Sequence, residues 1–160
     1  MSRIYSISFA LVAVSAQQDF FSVKALDDRP IVIHEVRINN AGITADAGDA
    51  KEQLWGVEIC RGNTTIGSGG TNPTAQPFNS ADSAFGPTTN VRVNDTTKVS
   101  AGTRALLLAD GFNTRAGWIY LPTPEDRIRT AEGDGFLAVQ LTTTPSEAIT
   151  MSGTMIVEEL

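Results

Sequence analysis

Short segments in which apolar and polar side chains alternate with a period of two follow one another along most of this sequence. Such alternation sends successive side chains to opposite faces of a strand. It starts near the N-terminus, where Tyr5, Ile7, Phe9 and Leu11 alternate with Ser6, Ser8 and Ala10. Phe20 to Leu26 forms a second run, ending in the turn residues Asp27, Asp28, Arg29 and Pro30. From Ile31 to Ile38, strict alternation puts Val32, His34, Val36 and Ile38 on one face and Ile31, Ile33, Glu35 and Arg37 on the other. Trp55, Val57 and Ile59 continue the pattern, followed by Val91 to Asn94, Arg104 to Asp110, Trp118 to Leu121, Phe136 to Leu141 and Ile149 to Val157. The run Leu106, Leu107, Leu108 suits a strand covered on both faces. Pro122 and Pro124 cannot donate backbone hydrogen bonds and predict an extended segment along a sheet edge.

Eight or nine strands punctuated by turn signals, with no sustained 3.6 period and no internal repeat, predict an all-β fold. The expected architecture is a single-domain antiparallel β-sandwich over residues 1–160, jelly-roll-like. A length of 160 residues fits one domain and one core. Eighteen threonines and a charged fraction of 19% agree with a β-rich, weakly charged surface. Two stretches depart from the pattern. Residues 43–53 are small and acidic, with Asp46, Gly48 and Asp49 among them; they read as a loop into the next strand, with a short helix from Asp49 to Leu54 as the other reading. Residues 62–90 are dominated by Gly, Ser, Thr, Asn and Pro, long for a loop in a compact domain, and are expected to be either mobile or ordered by a partner.

Charge and residue usage narrow the function classes. Twelve basic against eighteen acidic residues give a net charge of −6, which is not the electrostatic footprint of a nucleic-acid or anionic-membrane binder. The longest apolar run, Phe9 to Val14, is far shorter than the roughly 20 residues of a membrane-spanning helix. Residues 3–16 have some of the look of a secretory leader, but they carry one basic side chain and no disulfide framework follows, so they are read as a first strand. A lone cysteine, Cys60, makes no intrachain disulfide and reads as a small apolar side chain. The only histidine, His34, sits mid-strand between Val32 and Val36 and reads as a core or interface residue rather than a catalytic base. Carboxylate pairs such as Asp27 with Asp28, or Glu125 with Asp126, are too frequent to single out a hydrolytic cleft. The Asp46–Asp49 stretch lacks the alternating ligands of an EF-hand, and Gly67, Gly69 and Gly70 lack the lysine of a phosphate loop. No catalytic residue, metal ligand or cofactor is expected.

The segments "RIYSISFALVAVSAQQDFF", "ICRGNTTIGSGGTNPT", "GFNTRAGWIYLPTPEDR" and "MSGTMIVEEL" resemble a family of small β proteins of tailed bacteriophages and prophages. The resemblance runs over roughly residues 3–160 and implies a virion structural protein, a capsid decoration or cement protein on the outer surface of the head. Its expected partners are the major capsid protein and further copies of itself, as in a trimer. A carbohydrate- or receptor-binding module on a tail or head fibre is the alternative. The elements expected at an interface are Tyr5, Ile7 and Phe9 of the first strand, Phe78 and Phe85 of the 62–90 loop, and Pro122, Pro124 and Arg127 of the segment from Trp118 to Arg127. Phe78 and Phe85 have a second reading, folding back to cap one end of the sandwich. Trp55, Trp118 and Tyr120 are expected in the core.

Overall fold

The computed structural model describes residues 2–25, 29–41, 52–86, 90–131 and 133–160. Eleven strands occur among them: β1 (Arg3–Val14), β2 (Asp19–Lys24), β3 (Ile31–Asn40), β4 (Leu54–Asn63), β5 (Gln76–Pro77), β6 (Val91–Asp95), β7 (Ala105–Asn113), β8 (Trp118–Tyr120), β9 (Arg129–Thr130), β10 (Phe136–Leu141) and β11 (Ile149–Glu159). Two antiparallel sheets pack face to face. The first runs β5-β1-β11-β3-β8, with β9 also on β3, and the second runs β6-β2-β10-β4-β7. The all-β sandwich read from the alternation is therefore the architecture. The turn at Asp27 and Asp28, the Asp46–Asp49 stretch and the first half of the 49–54 helix alternative lie outside the described residues, and Leu54 begins strand β4.

Between the sheets lies one large apolar cluster, to which Tyr5, Ile7, Phe20, Phe21, Ile33, Val36, Trp55, Ile59, Leu137, Val139, Met155 and Val157 contribute fully buried side chains. An aromatic pair ties the layers, Phe9 of the first sheet lying 5.3 Å from Phe21 of the second between ring centroids, and within the second sheet Trp55 meets Phe112 edge-on at 6.1 Å. Trp55, Trp118 and Tyr120 are buried, as their strand positions predict.

Strict alternation fails where a strand carries an extra residue. In β3 the pairing with β11 shifts between Glu35↔Ile156 and Ile33↔Val157, so His34 is unmatched. A bulge reverses the parity of everything beyond it. Val36 and Ile38 on one side of it and Ile31 and Ile33 on the other all point into the core, and His34 is not the core residue that simple alternation makes it. β1 does the same at Ala10 and Leu11, where the pairing jumps from Phe9 to Val12 and Leu11 takes φ 54°, exposed, while Val14 returns to the core.

The strand covered on both faces is β10, all six of whose residues are buried, and not the leucine run of β7. What covers its outer face is a ribbon in which Val99 meets Phe136 and Ala138, and whose other strand is the start of the segment expected to be mobile or partner-ordered. β4 and β7 are paired from Leu54↔Asn113 to Arg61↔Ala105, and their continuations stay paired through Thr65↔Ser100, Ser68↔Thr97 and Thr71↔Val93. Gly62 and Gly102, both at positive φ, mark the place where this ribbon turns over the sheet. It then crosses the outer face of the second sheet to join β6 at the far edge. Residues 63–72 are thus ordered by the chain's own residues 93–101.

Candidate interaction surface

The four outermost strands differ in how they end the sheets. β5 has two residues, one of them Pro77, and β8 has three and runs into Leu121 and Pro122. The free side of β6 is bonded to Thr71, with Thr71 N to Val93 O and Val93 N to Thr71 O both 3.0 Å. Short strands, prolines and covering segments are the usual means of blunting a sheet edge. β7, nine residues long and with no further strand of its sheet beyond it among the described residues, is the exception.

β7 also carries apolar side chains in water. Leu106 is 50% and Leu107 37% exposed, and on the neighbouring β8 and its exit Ile119 is 59% and Leu121 70% exposed. β8 follows β7 after a tight turn and lies against it, with Trp118 Nε1 donating to Asp110 Oδ2 at 3.0 Å. Pro122, half-buried, and Pro124, exposed, continue this margin, and the backbone from Pro124 to Asp126 forms a 3-10 turn held by Tyr120 Oη donating to the Asp126 carbonyl at 3.1 Å. Arg127, also half-buried, lies where its charge helps hold the Glu158 carboxyl down.

The sequence around β7 reads Arg104-Ala-Leu-Leu-Leu-Ala-Asp110, the same in both directions apart from its opposite terminal charges. Two flat strands of this kind would pair antiparallel with Arg104 against Asp110. The bulge at Leu107 prevents it, because Cys60 pairs with Leu106 and Ile59 with Leu108. Arg104 and Leu106 lie on the outer face, where Arg104 bonds Glu58 and Gln140, whereas Leu108 and Asp110 face the sandwich interior. Residues matched in sequence would fall on opposite faces, so the margin presents side chains rather than a regular free edge.

The other expected contact residues part company. Tyr5, Ile7 and Phe9 are in the core, so their side chains offer a partner no surface; the alternation that picked them out was the mark of burial. Phe85 is buried as well, its ring 4.9 Å from Tyr5 in an edge-on contact that caps the core. Phe78 stands 63% exposed beside β5, its backbone N–H bonded to the Ile4 carbonyl at 2.9 Å. Of the eight residues, Phe78 and the three on the Pro122–Arg127 segment keep accessible surface. The leucines of β7 were missed because three consecutive leucines read as central strand.

A polar network occupies the outer face of the second sheet beneath the ribbon. Asp19 is buried, accepting from Val99 N and from Gln140 Nε2, each at 2.7 Å. Burial pushes its carboxyl up to about 6, against the pull of those two donors and of the Lys98 ammonium. Burial likewise lowers Lys98, whose Nζ donates to the Leu141 carbonyl at 2.6 Å, and raises the enclosed Cys60 thiol. Asp95 receives Arg92 through two hydrogen bonds of 2.7 and 2.6 Å and Gly70 N at 2.9 Å. On the first sheet His34 Nε2 meets Glu158 Oε2 at 2.6 Å; burial acts to raise the Glu158 carboxyl, but the bonds from His34 and Ser2 leave it below the usual range. These groups hold strands and ribbon together. Among the described residues no set of three or more His, Cys, Asp or Glu side chains is grouped to hold a metal ion.

No family model matches the chain, and no curated protein or solved structure matches it.

Proposed function

We propose that the chain is a structural virion protein, a decoration protein seated on the outer surface of a tailed-phage head and bridging major capsid subunits. The observation that carries this reading is the long edge strand β7, with Leu106 and Leu107 exposed on it, in a sandwich whose other outermost strands are short or bonded along their free side. Covering such side chains contributes about 25 cal/mol per Å² removed from water, which favours a partner seated on this edge. A subunit touching two or three neighbours through modest contacts binds tightly by multivalency. Self-association into a trimer on the capsid belongs to the same proposal. The sandwich itself we read as a jelly roll. What supports this is the strand order: successive strands β1, β2, β3 and β4 alternate between sheets, β7 and β8 cross back, and β10 and β11 insert beside β2 and β1.

Counting copies in purified particles tests the function. Hundreds per particle are expected; a few to a few dozen place the protein on a tail or fibre, and absence from particles refutes the reading. Replacing Leu106 and Leu107 by lysine is expected to weaken particle binding at least tenfold while leaving the urea midpoint within experimental scatter.

A second reading, a carbohydrate- or receptor-binding module, is favoured by one observation. A shallow depression of about 370 Å³ on the outer face of the first sheet is lined by Ser8, Arg37, Asn39, Ser152 and Thr154. Hydroxyl, amide and guanidinium groups on a firm sheet suit the hydroxyls of a sugar. Glycan binding lost on Arg37→Ala, together with a low copy number, would establish this reading over the first.

A further inference from the structure

The second sheet carries a second, smaller core. Cys60, Phe136 and Ala138 on its outer face pack with Val99 of the ribbon as a cluster separate from the one between the sheets. At the base of the ribbon Gly62 and Gly102 approach so closely that a Cβ on Gly102 would collide with the Gly62 carbonyl, and one on Gly62 with the Thr103 carbonyl. Only glycine allows both the positive φ and the approach. Few bonds fasten the ribbon down along its length. Among the described residues, Val99 N donates to Asp19 Oδ2, Asn63 Nδ2 to the Ala101 carbonyl at 2.9 Å, Lys98 Nζ to the Leu141 carbonyl and to Gln17 Oε1, the latter at 3.4 Å, and Gly70 N, at the β6 end, to Asp95 Oδ1. The bonds between Thr65 and Ser100, at 2.9 and 3.1 Å, and between Ser68 and Thr97, at 2.9 Å, run within the ribbon and travel with it.

We propose that the paired segments 64–68 and 97–101 form a strap that lifts between two fixed ends while both sheets stay folded, bending at Gly62 and Gly102 and, where it joins β6, at Gly69, which also has positive φ, and uncovering Cys60, Phe136 and Ala138. Segments held by a small apolar contact and a few hydrogen bonds open at lower free energy than the domain unfolds. The strip uncovered lies beside Leu106, which pairs with Cys60, so lifting enlarges the apolar margin at β7. The strap also responds to pH. Closing it buries the Asp19 carboxyl, and opening returns that carboxyl to water. Facing Asp19 are Lys98 from the strap, which lowers it, and Asp95 from β6, which raises it. Cys60 of β4 lies near the same cluster, with Glu58 and Arg104 beyond. A carboxyl that titrates at about 6 when closed and near 3.8 when open favours the closed form in acid. Its opening constant rises roughly tenfold from pH 5 to pH 7.5.

Cys60 is the only cysteine and is fully buried, so its thiol reports the opening. The full chain is labelled with an aromatic disulfide across urea concentrations below the unfolding transition, with rates normalised to a free thiol at the same pH. The expected result is labelling that depends far less on urea than global unfolding does and an opening constant about tenfold larger at pH 7.5 than at pH 5. Val99→Ala should speed labelling at least fivefold with the global midpoint little changed. Labelling that follows the urea slope of global unfolding overturns the strap. An opening constant unchanged between the two pH values overturns the part given to Asp19.

Discussion

The outer faces of the two sheets are finished in opposite ways. On the first sheet short hydroxyl side chains lie open to water and bond sideways to one another, Ser8 to Thr154 at 3.0 Å and Ser6 to Ser8 at 3.3 Å. On the second, Cys60, Phe136, Ala138, Ser22 and Gln140 are buried under a ribbon made from the chain's own β4 and β7 extensions. The first face is stable because each polar group can meet water or a neighbour. The second depends on a tertiary contact, and so it contains the buried Asp19 carboxylate, the positive-φ pair Gly62 and Gly102 and the lone thiol. A sheet face that needs a cover becomes a place where stability can be tuned by pH and by local opening, and an open face does not.

The sharpest way to break this comparison is to reach below both faces. Phe20→Ala, in the core shared by the sheets, is expected to cost about 3–5 kcal/mol in urea unfolding, since a cavity there loosens both layers together. A loss below 1 kcal/mol would mean the sheets are not jointly dependent on that core.

Next in size is the titration of Asp19. Its folded carboxyl titrates at about 6 and its unfolded one near 3.8, so the unfolded chain gives up the proton first as pH rises. The stabilisation is complete below about 3.8 and is lost as pH rises through about 6, a difference of about 3 kcal/mol at most. Asp19→Asn should remove this slope. Comparing urea midpoints of the two proteins at pH 4.5, 6 and 7.5 checks it, and parallel curves would show that the ribbon face is no more pH-sensitive than the open one.

Gly102→Ala, at φ 69° and against the Gly62 carbonyl, is expected to destabilise by about 2 kcal/mol. Gly133→Ala is the control, at φ 78° with open space around it; it isolates the backbone strain and should cost about 1 kcal/mol. Equal losses would show that the close approach at the ribbon's turn contributes nothing. The smallest effect belongs to the open face: Ser8→Ala, which removes two exposed hydroxyl contacts, should shift stability by less than about 0.5 kcal/mol.

Much of this could be read from the residues. The strands of β2, β4, β10 and β11 fall where the runs of Phe20–Leu26, Trp55–Ile59, Phe136–Leu141 and Ile149–Val157 place them. The errors have one cause. Apolar residues on both nominal faces of β3 signalled a bulge at His34, but period-two reading assigns them to two faces instead. At β7 three leucines suggested a covered strand, because sequence gives hydrophobicity and not position in the sheet order. For the candidate surface this mattered most: Tyr5, Ile7 and Phe9 attracted attention through the same alternation that buries them, while Leu106 and Leu107 were assigned to the interior.

That the chain makes strands and that they pair antiparallel into a sandwich was legible in its residues, as was the arithmetic that one cysteine makes no intrachain disulfide. Alternation, turn residues and residue counts are local properties, and they fix local structure. Which strand lies at the edge, where the extra residues reverse a face, and that a ribbon containing residues 63–72 folds over the second sheet emerge only when the strands are assembled. Those outcomes depend on pairings between residues far apart in the chain, such as Thr65 with Ser100 and Asp19 with Val99, whose energies no single segment contains.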